Sequence, residues 1–253
     1  MQGNLLHRRN WYIYGMLDEI PYVCAIREFI SNKLKKEDIM KFELLDYLNK
    51  NFKDDILSPA LFYNWDIGIR FELGSPYRGI ENPEYFNKLI ERAVKIFEFV
   101  FEENDDLYVI VSSFEAVEPY KVLNQGERVF PKYIKNKNDD DKVVCIKEEK
   151  NFEEEGYLSY ISYQYCLKCK RDDTDYSRIF EALANRDFCR EPYTSDGVYF
   201  VNVSKDIIFH MYDDRGLDVV AKNKENLQKL YVMFNNWILD YDRKQIDETF
   251  KLG

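Results

Sequence analysis

Val198-Tyr-Phe-Val-Asn-Val-Ser-Lys-Asp-Ile-Ile-Phe-His-Met-Tyr-Asp-Asp-Arg-Gly-Leu-Asp-Val-Val-Ala221 is the stretch that decides the fold. Three short runs rich in β-branched and aromatic residues, Val198–Val203, Ile207–Tyr212 and Leu217–Ala221, are separated by two turn signals. These are Ser204-Lys205 and Asp213-Asp-Arg-Gly216, and connections this short join neighbouring strands antiparallel, so the stretch reads as a meander. Period-two alternation puts Ile208, His210 and Tyr212 on one face of the middle strand and Ile207, Phe209 and Met211 on the other.

Working outward, the C-terminal side continues with a helix from Asn223 to about Leu239. Asp242-Arg-Lys-Gln245 then offers a capping-box pattern for a last helix ending near Phe250, with Asp in place of the usual Ser or Thr. On the N-terminal side a helix from about Asp175 to Asn185, capped by Thr174 or Asp173, precedes the meander. Val143–Ile146 and Tyr157–Cys169 read as strands separated by the acidic loop Glu148–Glu155. Glu115–Lys142 reads as irregular, with a solvated Asn138-Asp-Asp-Asp141 turn. Leu107-Tyr-Val-Ile-Val111, a continuous apolar run, predicts a central strand.

Trp65, Ile67, Ile69, Phe71 and Leu73 alternate with Asp66, Gly68, Arg70 and Glu72, which predicts a strand with one face in a core and the other in water. Asn82-Pro83 signals a helix start, because Asn accepts from an orphan N–H and Pro gives up a donor that has no partner there. That helix runs to about Glu103. Near the N-terminus, Ile20, Val23, Ile26 and Phe29-Ile30 recur at helical spacing before the charged run Lys33–Asp38, and Met40 opens a fresh pattern with Phe42, Leu45 and Leu48. Residues 1–39 are therefore expected to be a helical extension and 40–253 the main domain. The expected class is α+β: a mostly antiparallel sheet with helices packed on one face, and the C-terminal meander followed by two helices.

The chain has 253 residues, enough to bury a core without metals or disulfides. Aromatics make up 16%, which sets it apart from disordered chains. The formal net charge is −10, so the summed field repels phosphate backbones and anionic membrane surfaces. Nucleic acid and membrane are not expected partners, and a basic protein is. The Trp11–Leu17 apolar run is too short for a signal peptide and no window has membrane-spanning length, so a cytoplasmic location is expected.

The 5 cysteines, Cys24, Cys145, Cys166, Cys169 and Cys189, are odd in number, as for reduced thiols. Cys166-Leu-Lys-Cys169 has metal-site spacing but no second close pair of ligands. Cys189 and His210 could complete a four-ligand zinc set only if folding brings them together, so neither metal nor cofactor is expected. Gly-x-Ser-x-Gly, Gly-x-Gly-x-x-Gly and Gly-Lys-Ser/Thr patterns do not occur, which argues against hydrolases and nucleotide enzymes built on those loops.

The richest polar cluster is His210, Asp213, Asp214 and Arg215. There an imidazole acting as general base, oriented by a carboxylate, and a guanidinium holding an anion would suit a hydrolase or transferase. Against this stands ordinary turn chemistry, with Asp capping local N–H groups and Gly216 supplying a positive φ. A second set, Asp66, Arg70 and Glu72 with Arg186 and Asp187, is a candidate binding surface. Arg70 reads as a cross-strand ion pair on a solvated face, or as part of a buried polar network if that face is covered.

Phe71-Glu-Leu-Gly74, Ala182–Phe188, Asp196–Asn202, Ile208–Val220 and Trp237–Arg243 resemble segments of an uncharacterised family from low-GC Gram-positive bacteria. The resemblance spans about residues 40–253 and is sharpest in the C-terminal third. It implies no reaction and no catalytic residues. Function is therefore expected from charge and site chemistry alone: a non-enzymatic acidic binding protein, immunity-like or antitoxin-like, with the hydrolase or transferase built on His210 as the alternative. Oligomeric state is not legible.

Overall fold

A computed structural model describes residues 36–52, 57, 59–76, 79, 81–82, 84–116, 129–135, 143–150, 160–188 and 190–251. Along the chain these form α1 (Lys36–Phe52), β1 (Gly68–Glu72), α2 (Tyr85–Val100), β2 (Asp106–Ala116), α3 (Val129–Tyr133), β3 (Val144–Lys150) and β4 (Tyr160–Lys170). They continue with α4 (Tyr176–Ala184), β5 (Gly197–Asn202), β6 (Ile207–Met211), β7 (Gly216–Ala221), α5 (Lys224–Met233) and α6 (Arg243–Phe250). The helix expected over Ile20–Ile30 lies outside the described residues, and α1 begins inside the charged run rather than at Met40.

The strands make one seven-stranded sheet in the order β1-β7-β6-β5-β2-β4-β3. Every pairing is antiparallel. The protein is α+β as expected, with the meander β5-β6-β7 followed by α5 and α6. β2 lies between β4 and β5, and its unbroken apolar run serves two cores, Leu107, Val109 and Val111 on one face and Tyr108 and Ile110 on the other.

The first face carries the main core, against α2, α4, α5 and α6. Apolar residues at helical spacing on α2, from Phe86 through Leu89, Ala93 and Phe97 to Val100, build its buried side. Phe97 is the centre of that core: its ring lies 4.5 Å from Phe101, 4.9 Å from Phe200 and 5.3 Å from Phe209. Among the described residues the second face carries the smaller apolar cluster. Leu44, Leu48 and Phe52 of α1, with Leu57 and Leu61, pack on Tyr108, Ile110, Tyr199, Val201, Ile208 and Val220.

Several boundaries move for identifiable reasons. The strand expected over Trp65–Leu73 is paired only over Gly68–Glu72, because the chain leaves the 3-10 turn at Phe62–Asn64 through a bend at Asp66–Ile67 before it joins the ladder. The helix expected to reach Leu239 ends at Met233 and gives way to a 3-10 turn, Asn235–Trp237. The segment after that turn closes the β1 edge, with Leu239 N–H donating to the Arg70 carbonyl at 2.9 Å. β3 runs on through Lys150, into the stretch read as an acidic loop, and β2 on to Ala116.

The α4 cap is Asp175, whose carboxylate accepts from Arg178 N–H at 3.4 Å. Asn82 Oδ1 accepts from Glu84 N–H at 3.0 Å just ahead of α2. The expected capping box at Asp242 is not made, because that carboxylate is engaged elsewhere. Gly216 is not in the left-handed region either. It is required because a Cβ there would fall 2.5 Å from the Phe71 carbonyl oxygen and against the Tyr212 hydroxyl.

Candidate functional site

Directly opposed residues in an antiparallel ladder share a face. The register pairs Arg70 with Asp218, Asp218 with His210 and His210 with Tyr199. Four strands thus set Arg70, Asp218, His210 and Tyr199 in one row across the second face, beside the apolar part that α1 covers. Of the two readings for Arg70, the covered face is the one realised: the Arg70 side chain is 13% exposed and that of Asp218 is 0%.

Arg70 Nε donates to Asp218 Oδ1 at 2.8 Å, and the main-chain N–H of Phe62 donates to Oδ2 at 3.1 Å. A second carboxylate, Asp242, lies 3.6 Å from Arg70 Nη1 and accepts from the Tyr63 hydroxyl at 3.3 Å. Three rings surround the guanidinium: Tyr63 at 4.5 Å, and Phe62 and Tyr212 each at 5.4 Å. Burial pushes the Asp218 carboxyl up, and the Arg70 charge beside it pulls the other way. The partner of Arg70 is thus Asp218 across the ladder, whereas Asp66 stays exposed and Glu72 half-buried.

His210 is 3% exposed. Its Nδ1 lies 2.9 Å from the Val198 carbonyl oxygen, which can only accept, so Nδ1 carries the hydrogen. The imidazole stacks on Tyr199, with centroids 4.0 Å apart and planes 15° from parallel. Burial pushes its pKa down to about 4, so the ring is neutral at ordinary pH. Among the described residues no carboxylate is hydrogen-bonded to it. Asp213, Asp214 and Arg215 turn away into the β6–β7 corner. There Asp213 accepts from the Arg215 main chain at 2.8 Å and from its guanidinium Nε at 2.9 Å. Asp214 accepts a short hydrogen bond from the Tyr85 hydroxyl.

Arg186 and Asp187 come to the same corner from the end of α4. Arg186 Nε donates to the Thr194 carbonyl at 3.1 Å and Nη2 to that of Asp196. Burial lowers its pKa, opposed by Asp213 and Asp187. One carboxylate oxygen from each of Asp187, Asp213 and Asp214 lies within 4.8 Å of the others. That is a hard-oxygen set of the type magnesium or calcium takes, although Asp213 is engaged by Arg215 and Asp214 by Tyr85. The corner therefore unites residues of both expected sets, and separates His210 from Asp213, Asp214 and Arg215.

The cysteine pair serves no common ion. Cys166 and Cys169 are three residues apart on one strand, so they face opposite ways, Cys166 in the second-face core and Cys169 in the first. Cys24 and Cys189 lie outside the described residues. Among those residues no helix is long and apolar enough to cross a membrane.

Sequence reasoning missed Asp218, Asp242, Tyr63, Tyr85 and Tyr199. Only Asp218 left a signal, as a lone acid within the apolar run Leu217-Asp-Val-Val-Ala221, where a buried carboxylate needs a cation. The others are brought in by tertiary contact.

A family model described as "Domain of unknown function (DUF3885)" matches residues 44–242. The chain is 29% identical over 209 residues to the "Uncharacterized protein YnaE" of Bacillus subtilis (strain 168), an alignment covering 78% of this chain and 98% of that protein. The source of that relative agrees with the expected low-GC Gram-positive family. No solved structure matches.

Proposed function

The chain belongs to the DUF3885 family, a domain of unknown function, and on that premise we propose that it is a non-enzymatic acidic binding protein, immunity-like or antitoxin-like, that recognises a basic protein partner. The observation carrying this reading is the internal use of the polar groups that a catalyst would have to leave free. His210 is held neutral between Tyr199 and the Val198 carbonyl, Asp213 grips Arg215, Asp214 takes Tyr85, and Asp218 takes Arg70. The net charge of −10 supports a cationic partner, because opposite fields accelerate encounter.

Calorimetric titration with basic proteins encoded beside its own gene tests the reading. Saturable binding that weakens as NaCl is raised is expected. Absence of saturable binding at low salt by any of them overturns it.

The convergence of Asp187, Asp213 and Asp214 favours one second reading, a cation-assisted hydrolase or transferase at that corner. Its signature is a melting temperature that rises with Mg²⁺, Mn²⁺ or Ca²⁺ in the wild type and not in Asp214→Asn. A flat response in both proteins removes it.

A further inference from the structure

We draw no further inference here: the strongest candidate, the cluster of Asp187, Asp213 and Asp214 carboxylates at the β6–β7 corner, belongs to the site already described, and its two buried acids are taken by Arg215 and Tyr85.

Discussion

His210 shows how a residue's chemistry is set by what surrounds it. A histidine at the end of a strand, followed by two carboxylates and an arginine, has the composition of a general base. Its ring is nevertheless sealed against Tyr199, its hydrogen is committed to a main-chain carbonyl, and burial takes its pKa to about 4. The unfolded chain binds a proton at this residue near the ordinary value of 6.5, whereas the native state does so only near 4. Between those values the unfolded state holds more protons, so stability is present above about pH 6.5 and is lost as pH falls toward 4, by about 3 kcal/mol in all. His210→Phe keeps a flat ring against Tyr199 and removes the titration. Urea unfolding across this window is expected to give a shallower acid slope for the variant. Asp214 and Asp218, raised by burial, contribute with the opposite sign in both proteins, so the difference in slope isolates His210. Equal slopes would show that the imidazole is not held neutral.

Elements are joined on the second face by one ionic clasp. Asp218 of β7 receives the Arg70 guanidinium from β1 and the Phe62 N–H from the 3-10 turn, while Arg70 also faces Asp242 at the start of α6. These contacts tie an edge strand, a turn and the C-terminal segment to the meander. Removing Asp218 leaves Arg70 with only the more distant Asp242 and strips the Phe62 N–H of its acceptor, so Asp218→Ala is expected to cost about 2–3 kcal/mol. Replacing both, as Arg70→Met with Asp218→Leu, exchanges the pair for apolar volume and should recover most of that loss. Chemical denaturation of the two variants checks this. Hydrogen exchange should show β1 opening first in Asp218→Ala, and a double variant no more stable than the single one would refute the clasp.

The whole molecule carries a charge of −10. Self-repulsion opposes the compact state, and added salt screens it, with a Debye length of about 8 Å at 0.15 M. The melting temperature of the free protein is therefore expected to rise with NaCl from low to physiological strength, while affinity for a basic partner falls. Opposite salt trends in stability and in binding are the combination to look for in thermal scans and calorimetry. A melting temperature that drops with NaCl would place net attraction, not repulsion, at the surface.

Composition and period determined much of this protein without coordinates. Alternation in Val198–Ala221 specified the meander, helical spacing from Phe86 to Val100 specified α2, and the unbroken apolar run Leu107–Val111 specified a central strand. These are local signals, because each depends on residues a few positions apart. Tertiary structure alone decided that Arg70 meets Asp218 and Asp242, that the Tyr63 hydroxyl reaches Asp242, and that Asp187 reaches Asp213 and Asp214. It also decided that His210, four residues from Asp214 in sequence, works apart from it. Pairings of this kind depend on strand register and on which face is covered, and neither leaves a periodic trace in the chain.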